Sequence, residues 1–162
     1  MDRSITLATD VDADPGRVFE VLSTTQGQRG FWTADCEIFA GHARFGFPQA
    51  PADLLTDVTT EPGKLVRMRV TTGFPFWEGS TWEWELATAA RAGTGTCVLF
   101  RHYGLTDGYP EIDLAHTAQT WALDPAAARR LSRQRQPAAV LPRLCGMKTA
   151  RHHVESAIGT AL

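Results

Sequence analysis

Apolar and polar residues alternate over most of residues 34–103, which is the period of β-strands that have one face in contact with water. In KLVRMRV, Val66 and Met68 fall on one face and Arg67 and Arg69 on the other. Glycine, proline or charged turns separate the segments of this kind, which are CEIFA, GHARFGF, DLLTDVTT, KLVRMRVTT, STWEWELATA and TCVLFRHYG. The pattern predicts a run of antiparallel strands.

An opening strand and a short helix precede this run. Residues 3–11, RSITLATDV, alternate with strand period, and ADPGRVFEVLS follows. Asp14 is placed to cap a helix, and Pro15 occupies its first position. The apolar stripe of that helix comprises Val18, Phe19 and Leu22. A first helix is therefore predicted directly after the first strand.

Two further helices are predicted. TTQGQRGFW indicates a second short helix, interrupted by Gly27 and Gly30. A late helix follows the last strand in EIDLAHTAQTWAL. Its predicted inner face comprises Ile112, Leu114, Ala115, Ala118, Trp121 and Ala122. The order predicts an α+β fold, in which a curved antiparallel sheet is covered on its concave face by the late helix.

Composition narrows the class of protein. A chain of 162 residues suits one domain, and a formal charge of −2 with a pI near 6.2 does not indicate a nucleic-acid partner. The sequence contains neither an apolar run long enough to span a bilayer nor a signal-peptide core, so a cytoplasmic protein without a membrane span is predicted. Cys36, Cys97 and Cys145 lack CxxC spacing, and we expect buried free thiols and no metal site.

Several of these segments together resemble the START-like (SRPBCC) helix-grip superfamily, within it the heat-shock-ATPase-activator-like branch often labelled polyketide-cyclase-like. The matching features are the opening strand followed by DADPGRVFEVL, the strand from Gly95 to Leu105 that ends in FRHYGL, and the helix that carries Trp121. The resemblance covers about residues 3–123. It implies a C-terminal helix gripped by the sheet, with a cavity between them.

The aromatic stretch GFPFWEGSTWEWEL, residues 73–86, either fills that cavity as core or lines it for a ligand. We expect Trp84 and Phe100 to belong to the core, and Phe74 and Trp77 to form a mobile rim. The candidate ligand-binding residues are Trp32, Phe45, Met68, Phe74, Phe76, Trp77, Trp82, Trp84, Phe100, His102 and Trp121.

His102 is the candidate catalytic residue. It alternates inward beside Phe100, where an imidazole can act as an acid, a base or a hydrogen-bond donor. The alternative is a core histidine bonded to a backbone carbonyl or to the helix above it. A catalytic role needs a second polar group, and His116 could supply it if it faces the sheet.

Glu83 and Glu85 share one face of their strand, as do Arg67 and Arg69 on a neighbouring one. Paired carboxylates can divide acid and base work. Cross-strand ion pairing on a solvated face is the commoner arrangement, and we expect it here.

The chain departs from the family pattern after residue 123, where Asp124 and Pro125 should break or kink the helix. We therefore divide the chain into a helix-grip domain, 1–123, and an atypical tail, 124–162. Most amino acids have several codons. Some codon choices for residues 124–143, when they are read one nucleotide out of register, encode a peptide that looks like the family's own helix end. We hypothesise a frameshift near Leu123, and stop codons in that frame of the coding DNA would refute it.

Three functions remain open at this point. The first is binding of a small hydrophobic ligand, aromatic or polyketide-like, without a cofactor. We favour this function, and therefore expect a binding protein and not an enzyme. The second is a cyclase or dehydratase that uses His102. The third is a protein-interaction module of the co-chaperone kind. A homodimer formed through the tail is also left open by the sequence.

Overall fold

The computed structural model describes residues 3–88 and 95–122. Seven strands and three helices occupy these ranges. In chain order they are β1 (Arg3–Val11), α1 (Pro15–Ser23), α2 (Thr25–Phe31), β2 (Asp35–Phe39), β3 (His42–Gly46), β4 (Leu54–Glu61), β5 (Leu65–Thr72), β6 (Thr81–Thr88), β7 (Thr96–Leu105) and α3 (Glu111–Trp121). The predicted α+β class and the order of its elements are confirmed.

The strands form one antiparallel sheet in the order β1-β7-β6-β5-β4-β3-β2. Because β1 and β2 lie at opposite edges, the connection between them must cross the whole sheet, and this connection contains α1 and α2. The return of β7 beside β1 brings the chain back to that edge before α3 begins. All three helices therefore contribute to one face of the sheet, which we call the inner face.

The first short helix begins where its predicted capping residue lies, and the second has a cap of the same kind. The Asp14 side chain accepts a hydrogen bond from the backbone nitrogen of Arg17 at 3.0 Å, and Pro15 opens α1. Thr24 repeats the arrangement for α2, accepting from the backbone nitrogen of Gly27 at 3.1 Å. Each cap satisfies a backbone donor that has no partner within the helix.

Gly27 permits a backbone contact between α1 and α2. A Cβ built at this position would lie 2.2 Å from the carbonyl oxygen of Val21 and 2.4 Å from its Cα. Those atoms belong to the backbone of α1, so they cannot rotate away as a side chain could. The glycine that interrupts the predicted helix is therefore required by the packing of the two helices.

Gly27→Ala is expected to destabilise the fold by about 2 kcal/mol, since the cost of overpacking exceeds the gain of up to about 1 kcal/mol in helix propensity. Urea unfolding measures the change. Gly108→Ala is the matched control, because a Cβ there meets no atom within 4 Å. Equal stability of both variants would contradict the close contact.

The inner face carries the alternating apolar residues that the sequence predicts. One row across the sheet runs from Ile5 through His102, Trp82 and Met68 to Val58, as the strand registers place these residues opposite one another. The first four of these side chains are at most 5% exposed. The adjacent row includes Phe100, Trp84 and Val66, which are also buried.

The outer face carries an ion-pair network centred on Glu83. Its carboxylate accepts from Arg67 Nε at 2.8 Å, from Arg101 Nη1 at 3.2 Å and from the Tyr103 hydroxyl at 3.3 Å. Burial favours the protonated carboxyl, but these three hydrogen bonds outweigh it and hold the pKa of Glu83 below its usual value. Arg101 also bonds Glu85 at 2.8 Å.

Cross-strand pairing of the two glutamates is thus confirmed, with one correction. The second arginine of the network is Arg101 of β7, whereas Arg69 lies opposite Thr81 and Asp57. The register of β5 against β6 places Arg67, and not Arg69, beside Glu83.

The outer edge of β2 is covered by side chains of α2. The Thr25 hydroxyl accepts from the Ile38 nitrogen at 2.8 Å and donates to the Ile38 oxygen at 3.3 Å, and Arg29 Nε donates to the Cys36 oxygen at 2.9 Å. These bonds occupy backbone groups that an exposed edge would offer to another strand.

The predicted inner face of α3 is partly wrong. Thr117 and Trp121 are buried and Leu114 and Ala118 half-buried, whereas Ile112 is 61% exposed. Ala115 and Ala122 are exposed as well. The buried positions follow the helical spacing from Leu114, and the other three residues belong to a different stripe of the helix.

The thiols also differ in part from the prediction. Cys36 is buried, and burial raises the pKa of its thiol to about 11. Cys97 is only half-buried, because the odd-numbered positions of β7 from Cys97 to Tyr103 face the outer side of the sheet. Cys145 and the predicted tail, 124–162, lie outside the described residues, so the frameshift and the kinked helix stay predictions.

Candidate functional site

An aromatic cluster between α3 and the inner face forms the candidate site, and Trp121 lies at its centre. This indole is 5% exposed and stands one turn beyond Thr117 on the buried stripe of α3. Its ring centroid lies 4.7 Å from Phe100, 5.0 Å from Trp32, 5.5 Å from Trp82, 5.7 Å from Trp77, 5.9 Å from His102 and 6.2 Å from Trp84. One side chain of α3 therefore contacts rings from β6, β7, the end of α2 and the loop before β6.

A chain of three hydrogen bonds passes through His102, which is 0% exposed. Trp121 Nε1 donates to His102 Nδ1 at 3.2 Å, and His102 Nε2 lies 2.9 Å from the Ser80 hydroxyl. That hydroxyl donates to the backbone oxygen of Trp77 at 2.6 Å. The chain connects α3, β7 and the segment before β6.

The donors of this chain fix the tautomer of His102. An indole nitrogen can only donate, so Nδ1 must carry the lone pair and Nε2 the hydrogen. Ser80 then accepts from Nε2, because its own hydrogen is directed at Trp77. Burial lowers the pKa of His102 to about 3, in agreement with a neutral ring at neutral pH.

His102 is therefore the bonded core histidine that the sequence left open as the alternative, with its partner on the helix above. Both of its ring nitrogens are occupied by described residues, and neither partner is His116. The geometry leaves no nitrogen of His102 directed at a substrate.

A second hydrogen-bonded chain lies beside the first. Trp77 Nε1 donates to the Tyr109 hydroxyl at 3.2 Å, and that hydroxyl lies 2.5 Å from Thr117 Oγ1. The Phe76 ring stacks on Tyr109 at 5.1 Å with 19° between the planes. The loop before β6 and the loop before α3 are thus joined by both polar and aromatic contacts.

The predicted rim differs from the structure. Phe74 and Trp77 are 8% and 5% exposed, and only Phe76 reaches the surface, at 38%. Phe74 packs on Phe47 and Trp77, 5.7 Å and 5.2 Å away. Gly73, at φ 138°, turns the loop inward where a Cβ would lie 2.9 Å from the Leu54 Cα. Sequence alone could not distinguish a packed loop from an open one.

The other candidates are placed together on or above the inner face. All of them are buried, and they comprise Trp32, Phe45, Met68, Trp82, Trp84 and Phe100. Sequence reasoning missed Ser80, Tyr109 and Thr117, which complete the two hydrogen-bonded chains. Ser80 precedes a strand, Tyr109 lies in a turn and Thr117 lies in the late helix. Many other polar residues of the chain have such positions, so the sequence did not distinguish these three.

Three buried polar atoms on the inner side have no hydrogen-bond partner among the described residues. They are Trp82 Nε1 on β6, Thr56 Oγ1 on β4 and Gln28 Oε1 on α2, and the half-buried His116 on α3 has a fourth such atom, Nδ1. The first three residues are at most 2% exposed. Buried polar groups in folded proteins nearly always have a partner, so these atoms indicate a partner outside the described protein groups.

Comparison with solved structures identifies the fold. The chain is similar to the Aha1 dimer from Colwellia psychrerythraea, with 23% identity over 75% of this chain and 89% of that one, and a TM-score of 0.62. A protein of Mesorhizobium loti matches with 12% identity, 83% and 99% coverage and a TM-score of 0.65. No protein-family model and no curated protein matches the sequence.

A third similar structure is DynU16, a protein of the dynemicin biosynthetic locus. It shares 19% identity over 83% of this chain and 48% of its own length, with a TM-score of 0.60. These likenesses, together with the sheet and its three helices, show a helix-grip fold similar to that of the Colwellia Aha1 structure.

Two features are absent from the described residues, a membrane-spanning helix and a metal-binding group of side chains. No helix among them has the length and apolar character required to cross a bilayer. No group of three or more histidine, cysteine, aspartate or glutamate side chains within 3–88 and 95–122 is arranged to hold a metal ion.

Proposed function

We propose that the protein binds a small hydrophobic molecule, aromatic or polyketide-like, between the inner face of the sheet and α3. The observation that carries this proposal is the presence of unpartnered polar atoms within an interior built of aromatic rings. Each buried polar atom without a partner in a native structure calls for an explanation, and a bound molecule supplies one. Ligand sites in proteins combine the same two features, an apolar lining and a few polar groups that orient the ligand.

The two hydrogen-bonded chains have a supporting role in this proposal. They fix the orientation of Trp121 and Trp77, whose rings stack at 5.7 Å over the inner face. Rings held in this way offer a rigid apolar surface, so less conformational entropy is lost when a ligand binds. His102 then acts as a support for the site and not as a group that moves protons.

Thermal unfolding in the presence of a panel of uncharged aromatic compounds tests the proposal. A ligand at one hundred times its Kd is expected to stabilise the protein by about 2.7 kcal/mol, which raises the midpoint by several degrees. Saturable quenching of tryptophan fluorescence should accompany the shift, since three of the five tryptophans lie within residues 73–86.

Phe39→Ala is the control for binding at the surface. Phe39 is 78% exposed, which is the largest exposed fraction among the large apolar side chains described, so it is not part of the buried aromatic cluster. The shift should persist in this variant. A panel that leaves the midpoint unchanged while unfolding remains cooperative would contradict the proposal.

The two alternatives have less support. An acid or base role for His102 would require a free nitrogen, and both nitrogens are bonded to described residues. A protein-interaction role, like that of a co-chaperone, draws only on the likeness of fold to Aha1, and a fold does not specify a function. The Aha1 of Colwellia psychrerythraea is a dimer, and a homodimer of the present chain stays a prediction.

A further inference from the structure

The indole nitrogen of Trp82 occupies a distinct position in the aromatic cluster. Trp82 lies in the middle of the sheet, opposite Met68 on one side and His102 on the other, and is 0% exposed. Its Nε1 has no hydrogen-bond partner among the described residues. Since an indole nitrogen only donates, the group that completes this site must be an acceptor.

The surroundings of Trp82 offer few acceptors. Its nearest aromatic neighbours are Trp121 at 5.5 Å, Trp32 at 5.6 Å and His102 at 5.9 Å. The two indoles are donors as well, and the single lone-pair nitrogen of His102 already accepts from Trp121. The rings around Trp82 therefore offer no free acceptor that would compete with an added one for the hydrogen of Trp82 Nε1.

The charge of this interior restricts the acceptor. Among the buried side chains of the described residues, Glu83 alone carries a formal charge, and it lies on the outer face with Arg67 and Arg101. A carboxylate inserted beside Trp82 would lose its hydration with no cation in the described interior to replace it. A neutral acceptor such as a carbonyl oxygen loses far less.

We propose that the ligand is an uncharged planar molecule whose carbonyl oxygen accepts a hydrogen bond from Trp82 Nε1, and that Trp82 is the residue that determines this specificity. The inference rests on the proposed binding function and adds to it the class of ligand and the atom that selects it. Thr56, whose hydroxyl also lacks a described partner, offers a second polar contact to such a molecule.

The test compares three probes of one skeleton: fluorene, fluorenone and a fluorene carboxylate. Fluorenone is expected to bind the full chain roughly tenfold more tightly than fluorene, because a buried donor left unpaired weakens the complex with the hydrocarbon. The carboxylate is expected to bind at least roughly tenfold more weakly than fluorenone. Titration of tryptophan fluorescence gives the Kd of each probe.

Trp82→Phe removes the donor and keeps an aromatic ring. It should abolish the preference for fluorenone, so that fluorene and fluorenone bind with equal Kd values. Trp84→Phe makes the same substitution two residues along β6 on the same face, and it should retain the preference. If Trp82→Phe does not fold, nuclear magnetic resonance of the wild-type indole groups provides the second measurement. One indole proton should move downfield with fluorenone and not with fluorene.

Any of four results would overturn the inference, and the first three concern the relative Kd values. They are equal Kd values for fluorene and fluorenone, a carboxylate that binds as tightly as the ketone, and a preference that survives Trp82→Phe. Failure of both neutral probes to bind would also overturn it. The wider panel of uncharged compounds then decides separately whether the proposed binding function fails too.

Discussion

Lowering the pH from 7 to 5 is expected to reduce the free energy of unfolding by about 2 kcal/mol through His102 alone. The pKa of this buried histidine is about 3 in the folded protein, against an ordinary value of 6.5. Below pH 6.5 the His102 ring takes up a proton in the unfolded chain but stays neutral in the folded protein. Stability is therefore full above pH 6.5 and falls as the pH drops towards 3, where the loss is on the order of 4 kcal/mol.

The cause of this loss is the burial of the ring, and the hydrogen-bonded chain through the ring also opposes protonation. Protonation would place a hydrogen on Nδ1, where Trp121 Nε1 already directs its own hydrogen at 3.2 Å. The charged ring would also be surrounded by indoles at 0% exposure. Glu83 contributes in a lower window, because its pKa is depressed and its stabilisation is lost only below its ordinary value of 4.5.

Urea unfolding of wild type and of His102→Gln at both pH values measures the effect. Glutamine can donate and accept as the neutral ring does but does not titrate, so the variant should lose well under 1 kcal/mol between pH 7 and pH 5. His42→Gln makes the same change on an exposed histidine and should behave as wild type. An equal loss in His102→Gln and wild type would rule out His102 as the source.

Trp121→Ala is expected to destabilise the protein by about 3 to 5 kcal/mol, the range for deleting a large buried aromatic side chain. The substitution removes a ring that contacts six others and leaves Nδ1 of His102 without a donor. Urea unfolding measures the loss. Trp121→Phe, which keeps a ring and removes the nitrogen, should cost less than half as much.

Ile112→Ala is the control on the same helix. Its side chain is 61% exposed, and the expected change is within about 0.5 kcal/mol. Because Ile112 was predicted to lie on the inner face, a large cost for Ile112→Ala together with a small one for Trp121→Ala would contradict the observed orientation of α3.

The fold was largely predictable because its signals are local. Strand alternation assigned Val66 and Met68 to one face, and both side chains are buried. Asp14 marked the start of α1 through a hydrogen bond to a residue three positions away. The face of α3 was less predictable, because apolar residues occur on two of its stripes and the sheet selects only one.

The sequence by itself determined the order of the elements, the faces of the strands and most of the aromatic residues that meet above the sheet. These follow from the period of side chains along a strand and from capping within one turn. The tertiary structure alone decided what the polar groups among those rings do. Ser80, His102 and Trp121 lie 22 and 19 positions apart and meet only in the fold. That meeting makes His102 a neutral, fully bonded support and leaves Trp82 Nε1 unpaired, because a hydrogen bond depends on distance in space and not on spacing along the chain.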